Sequence, residues 1–150
     1  MVKIKVLNKQ FEIKAKYLDL DKPIWDDHLH NKFKISVKNL ETNKTINFYF
    51  YDSLVNTKKG KTELTEEDLI YCFKMFLEDS LDYIQNTNID DFAEEFGFTK
   101  ISEAIRAFKG CKRQFEKCLK LGISEEELYD LLNCIIEHEN EDKLLSLVVK

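Results

Sequence analysis

The run V-N-T-K-K-G-K-T, residues 55–62, ends in the three letters that close a nucleotide-binding P-loop. Such a loop needs glycine at both ends, because glycines let backbone N–H groups wrap the phosphates while the next helix starts at the lysine and aims its positive end at them. Here Val55 occupies the first glycine position, and the next helix signal opens only at Thr65, with Glu66, Glu67 and Asp68 in its first turn to repel a phosphate. The run reads as a lysine-rich surface loop, and nucleotide hydrolysis is set aside.

A second run, D-D-H-L-H at residues 26–30, places two acids and two histidines together, and His28 and His30 would share a face if the segment were extended. A metal ion needs further ligands at fixed geometry, and none stands nearby, so the run reads as a polar loop with no metal and no cofactor. Asp52-Ser53 lacks both the glycine pattern of a nucleophile elbow and a histidine partner, which leaves the serine as a turn former. The pairs Asp90/Asp91 and Glu94/Glu95 fall on one short helix and read as a solvated face rather than a general acid and base. No residue is assigned a catalytic role. Cys72, Cys111, Cys118 and Cys134 form no C-x-x-C pair and read as buried free thiols, although Cys111 and Cys118 would share a helix face.

The elements that carry these residues change character midway. Period-two alternation marks strands at 2–6, 11–17, 33–38 and 46–51, with turns at 8–10 and 41–44, and the segment from Asp19 to Asp27 reads as a loop between two hairpins. From Thr65 onward the spacing turns helical. Capping signals stand at Thr65 and Ser124, and glycine stops follow at Gly97 and Gly122. Helices are expected from Thr65, over 89–96, from Ser102 to Gly122, and beyond Ser124. The run L-L-S-L-V-V, residues 144–149, fits helix or strand equally. The expected fold is α+β in a single domain of residues 1–150: an antiparallel sheet of about four strands within 1–62, packed on three to four helices within 63–150. Phe11, Ile13, Phe33, Ile35, Val37, Phe48, Phe50, Phe73, Phe76, Phe108, Phe115, Leu128 and Leu132 are its expected core.

Charge divides along the same line. Residues 1–62 carry 13 Lys against 7 acids, a balance of +6, and residues 63–150 carry 10 Lys and Arg against 21 acids, a balance of −11, which together give the net −5 of the 150-residue chain. At 43% hydrophobic and 34% charged residues, the composition is that of a folded globular protein. No apolar run reaches the length of a membrane span, and the N-terminus alternates charge with apolar residues instead of building a signal-peptide core, so a cytoplasmic protein without a membrane partner is expected.

Two faces could bind a partner. Asp90, Asp91, Glu94, Glu95, Glu125, Glu126, Asp130, Glu137 and Glu141 line the helical half, where carboxylates on a rigid surface can imitate a phosphate backbone and occupy the basic groove of a nucleic-acid enzyme. On the outward sheet face, Lys14, Lys16, Lys34 and Lys38, with Lys3 and Lys5 beside them, alternate with buried residues and point the same way as Tyr49 and Tyr51, a combination that can hold phosphates and stack bases. The ordinary roles compete: acids solvate helices, and lysines protect sheets against edge pairing.

The stretch F-Y-F-Y-D-S-L-V-N-T-K-K-G at 48–60, Thr65 and Asp68 opening the helix of Cys72, F-A-E-E-F-G-F at 92–98, and residues 104–111 with Gln114 together resemble a group of small phage and mobile-element accessory proteins. These share a D-S-x-x-N-T-x-x-G connection and an E-F-G-Y-like helix end, and the resemblance covers roughly residues 33–132. Phe98 stands where that pattern has tyrosine, and Thr99-Lys100 is shorter than the group's following loop. The resemblance implies an anti-defence context, in which a non-enzymatic protein in the host cytoplasm inhibits or redirects a host protein such as a CRISPR or other defence nuclease. The acidic face is the expected contact, and nucleic-acid binding by the Lys/Tyr face is the alternative.

Overall fold

The computed structural model describes residues 1–23, 29–53, 63–86 and 88–138, with Ser53 and residues 134–138 described by backbone alone. Strands β1 (Val2–Val6), β2 (Lys9–Asp21), β3 (His30–Asn39) and β4 (Thr45–Ser53) are followed by helices α1 (Glu66–Gln85), α2 (Ile89–Phe96), α3 (Ile101–Leu121) and α4 (Glu125–His138). This is the α+β class read from the sequence. The loop at 55–62, the acids and histidine at 26–28, and the run at 144–149 lie outside the described residues, as does Glu141. The chain divides into two compact units within α1, between Phe73 and Lys74.

In the first unit the sheet is an antiparallel meander in the order β1-β2-β3-β4. Alternation puts Val2, Ile13, Val37 and Ile46 in one row across its inner face, and Ile35 with Phe48 in another. Phe11, Ile13, Phe33, Ile35 and Val37 are 0% exposed. The first turns of α1 close this core: Leu69, Cys72 and Phe73 are buried, and the Phe73 ring lies 5.4 Å from that of Phe11. A reciprocal cap starts that helix, with the Asp68 amide donating to Thr65 Oγ1 at 3.1 Å and the Thr65 amide donating to Asp68 Oδ2 at 2.9 Å.

Three features differ from the sequence reading. The first hairpin turns at Leu7-Asn8, both with positive φ, while Lys9 and Gln10 already pair in β2; a two-residue turn of this kind matches the strand twist. Strand β2 continues to Asp21 because the pairing shifts register between Tyr17 and Asp19, leaving Leu18 as an extra residue. That bulge breaks the period-two signal, which is why Asp19–Asp21 resembled a loop. Phe50, on edge strand β4, is only half-buried.

In the second unit, Asn88 caps α2 by accepting the Asp90 amide, and Gly97 and Gly122 end α2 and α3 with left-handed φ of 68° and 96°. A second reciprocal cap joins Ser124 and Glu127 at the start of α4. Tyr83 of α1 packs its ring on Phe108 and Phe115 of α3, while Phe92 of α2 meets Phe108 edge-on at 5.5 Å. Phe108, Phe115 and Leu132 were expected in the core and are half-buried instead; the fully buried positions of this unit include Leu77, Ala104, Cys118, Leu121, Ile123 and Leu128. Aromatic side chains on these helices span from core to solvent, so helical spacing alone overstates their burial. No described helix is long and apolar enough to cross a membrane.

Candidate functional site

Strand register fixes the neighbours of each outward sheet residue. Lys16 pairs with Lys34 and Lys34 with Tyr49, so the three form one row across β2, β3 and β4. Adjacent rows read Lys14, Ser36, Asn47 and Lys3, Glu12, Lys38, Thr45. The alternation brings together all six of the candidate residues Lys14, Lys16, Lys34, Lys38, Tyr49 and Tyr51. The two tyrosines differ. Tyr49 is 59% exposed, whereas Tyr51 is half-buried and stands edge-on to His30 at 6.4 Å.

Lys32, which sequence reasoning missed, lies over both rings, with its Nζ 4.5 Å from the Tyr49 centroid and 5.7 Å from that of Tyr51. The same ammonium bonds Asp21 Oδ2 at 3.1 Å. That hydrogen bond, helped by the Lys22 amide, holds the Asp21 carboxyl below the usual range, and Asp21 in turn raises Lys32. Lys32 keeps step with Lys34 and Lys38 along the strand, a signal that the loop-like composition just before β3 masks. On the inner face, a cavity of about 280 Å³ is lined by Ala15, Tyr17, Phe33, Leu64 and Leu69, among others.

The helical carboxylates lie on distinct elements. Asp90, Asp91, Glu94 and Glu95 are all exposed on α2, which carries no basic residue, and Glu125, Glu126 and Asp130 are exposed on α4. Glu137 lies in the backbone-only end of α4. Basic residues concentrate on α3, as Arg106, Lys109, Lys112, Arg113, Lys117 and Lys120. The −11 half is thus three acidic helices, α1, α2 and α4, and one basic one, rather than one acidic field. Among the described residues none of these seven exposed carboxylates joins an ion pair; Glu95 instead accepts a hydrogen bond from Asn86 Nδ2. Apolar side chains are exposed close to them in sequence: Phe96 at 44%, Ile101 at 58% and Ile105 at 39% about the α2–α3 connection, and Tyr129 at 39% between the acids of α4.

A third group was not legible as a site. Asp79 and Asp82, one turn apart on α1, meet Cys111 of α3 with donor atoms all within 4.8 Å of one another, a spacing at which a cation could draw the three together. Burial, then Glu78, pushes the Asp79 carboxyl up to about 6. Burial, then Asp79, Glu95 and Glu78, pushes Asp82 up to about 7. Burial also raises Cys111 to about 12, so its thiol stays protonated at neutral pH. Such a thiol is a poor nucleophile. Cys72 and Cys118 are buried and raised to about 12 as well, and Cys118 Sγ lies 3.1 Å from Ser80 Oγ. All three described cysteines are free.

The residues of the E-F-G motif have a structural role: Phe96 ends α2, and Gly97 supplies the left-handed cap that turns the chain toward α3. A scan against protein-family models finds no match, and neither do searches of the curated proteins and of the solved structures.

Proposed function

We propose that this chain is a non-enzymatic binding protein that docks a basic, nucleic-acid-handling host protein against its acidic helices and so inhibits or redirects it. The observation that carries this reading is the composition of the α2 surface: four exposed carboxylates on one helix, none in an ion pair among the described residues, with Phe96 exposed at its end and Ile101 and Ile105 exposed at the start of α3. Protein interfaces use apolar and aromatic anchors for affinity and charged rims for steering and partner choice. Carboxylates repeated along a rigid helix also present the charge pattern that a phosphate-binding groove accepts. The resemblance to phage accessory proteins supports a defence nuclease in the host cytoplasm as the partner. Glu125, Glu126 and Asp130, with exposed Tyr129, extend the same chemistry onto α4.

The test compares tagged wild-type protein with Asp90→Lys, Asp91→Lys, Glu94→Lys combined, and with Phe96→Ala, in capture from host lysate followed by a nuclease assay on what is retained. Reversal is expected to abolish capture and inhibition while leaving the unfolding midpoint near wild type, because exposed charges each contribute little to stability. Phe96→Ala is expected to weaken capture by about tenfold or more, the scale of an interface anchor. Capture that is unaffected by charge reversal would overturn the reading.

A further inference from the structure

The outward face of the sheet presents a separate problem. Lys16 and Lys34 sit directly opposite each other on the two central strands, β2 and β3. Like charges in that position oppose pairing; β1 pairs with β2 only as far as Ile13, so Lys16 borders an open stretch of edge, whereas Lys34 lies between β2 and β4 and guards none. Nor is the repulsion relieved locally. The carboxylates bonded on this face are taken by other lysines, Glu12 by Lys14 at 3.2 Å and Asp21 by Lys32 at 3.1 Å. Lys16 and Lys34, with Lys3, Lys5 and Lys38, have no ion pair among the described residues. The open edge accounts for Lys16 but not for Lys34, and a lysine that retains such a cost with no edge to guard suits an anion that arrives from outside.

The next residue in the row says which anion. Tyr49 is 59% exposed, and Lys32 stands over its ring, 4.5 Å from the centroid, while bonded to Asp21. The cation–π contact fixes the ring from one side and leaves it largely exposed, and a fixed, exposed aromatic beside two ammonium groups without an ion pair suits a ligand that alternates negative charge with flat apolar surface. Single-stranded nucleic acid has that alternation. A duplex hides its base faces, and an acidic protein surface has no regular stacking partner. We infer that the β2–β3–β4 face binds single-stranded nucleic acid, with Lys16 and Lys34 on phosphate and Tyr49 stacked on a base. Tyr51, half-buried against His30, supports Lys32 and does not itself stack. The inference does not depend on the acidic helices having a partner.

The full chain is titrated into fluorescently labelled oligothymidylate, oligouridylate and a duplex of the same length, about 15 nucleotides to span one such site, over a range of salt concentrations. Both single strands should bind at low salt and weaken steeply with added salt, and the duplex should bind at least tenfold more weakly. Lys16→Gln with Lys34→Gln should remove most of the binding, and the same variant should have an unfolding midpoint no lower than wild type, since a neutral pair relieves the repulsion. Tyr49→Ala should lower single-strand affinity about tenfold while leaving the salt slope unchanged, as expected of a stacking contact. The combined Asp90, Asp91 and Glu94 reversal should bind these oligonucleotides at least as well as wild type, which separates this result from the helical surface. Absence of single-strand binding at low salt would overturn the inference. So would equal affinity for duplex with no effect of Tyr49→Ala, which would leave only unspecific attraction to polyanions.

Discussion

Phe11→Ala is expected to lower the unfolding free energy by about 3–5 kcal/mol, the range for emptying a fully buried aromatic site. The ring is 0% exposed, belongs to a central strand, and packs 5.4 Å from Phe73 where α1 closes the sheet. Its row neighbours Ile4 and Asn39 are themselves 2% and 1% exposed, so little can move in to refill the space. Asn39 is held in place by its own work, with its Oδ1 accepting the Glu41 amide at 2.9 Å in the turn to β4. Urea unfolding followed by circular dichroism should show the loss as a fall in midpoint at unchanged slope. Phe50→Ala, on the half-buried edge position, should cost about half as much or less. Equal losses at the two positions would mean that the sheet core extends to its edge.

The second large effect is a dependence on pH located at Asp79 and Asp82. Their carboxyls are raised to about 6 and about 7 in the folded chain, above their unfolded values near 3.9. Between those limits the folded state holds protons that the unfolded state has released, so the contribution of this pair to stability falls as pH rises from about 4 to about 7 and is level above that. The groups around the pair are Glu78, Glu95 and Cys111, and none is a cation; Lys74 is drawn to Glu78 at 3.6 Å. Asp82→Asn, which cannot ionise, is therefore expected to stabilise the chain more at pH 8 than at pH 5. After allowance for solvent reaching the carboxyl, the difference is about 1–2 kcal/mol. Unfolding curves of both proteins at the two pH values measure it directly. A gain that is the same at both would show that Asp82 is ionised throughout.

The change from period two to helical spacing was enough to read the class of fold, because alternation in β1, β3 and β4 and the caps at Thr65 and Ser124 are local signals. What depended on pairing was less visible. Lys32 fell outside the Lys/Tyr set because its strand begins at His30, and nothing short of the β2–β3 register shows that Asp19–Asp21 is its partner. Asp79, Asp82 and Cys111 come from two helices whose relative rotation no sequence spacing encodes. Phe108 and Phe115 share the stripe of Cys118, yet only Cys118 is fully buried, since a stripe gives direction and not depth. The charged faces were legible residue by residue, while the division of the acidic half into acidic α1, α2 and α4 and basic α3 became clear only once helix limits were fixed.

The bulge in β2 also bears on how the chain could change over generations. With Leu18 left out, Tyr17 would be followed by Asp19, Leu20 and Asp21, an uninterrupted inward–outward rhythm that keeps every neighbour on the face it now occupies. Leu18 therefore has the character of a one-residue insertion that the sheet has absorbed. Its loss would flatten the local twist yet leave the Lys32–Asp21 bond and the Tyr17–Asn31 bond with the same partners. Away from the bulge, at Glu12 or Ile13 for example, a single-residue deletion would turn the stretch between it and the bulge inside out, exchanging outward lysines for inward residues. Length variation in this strand is thus tolerable at the bulge and costly away from it.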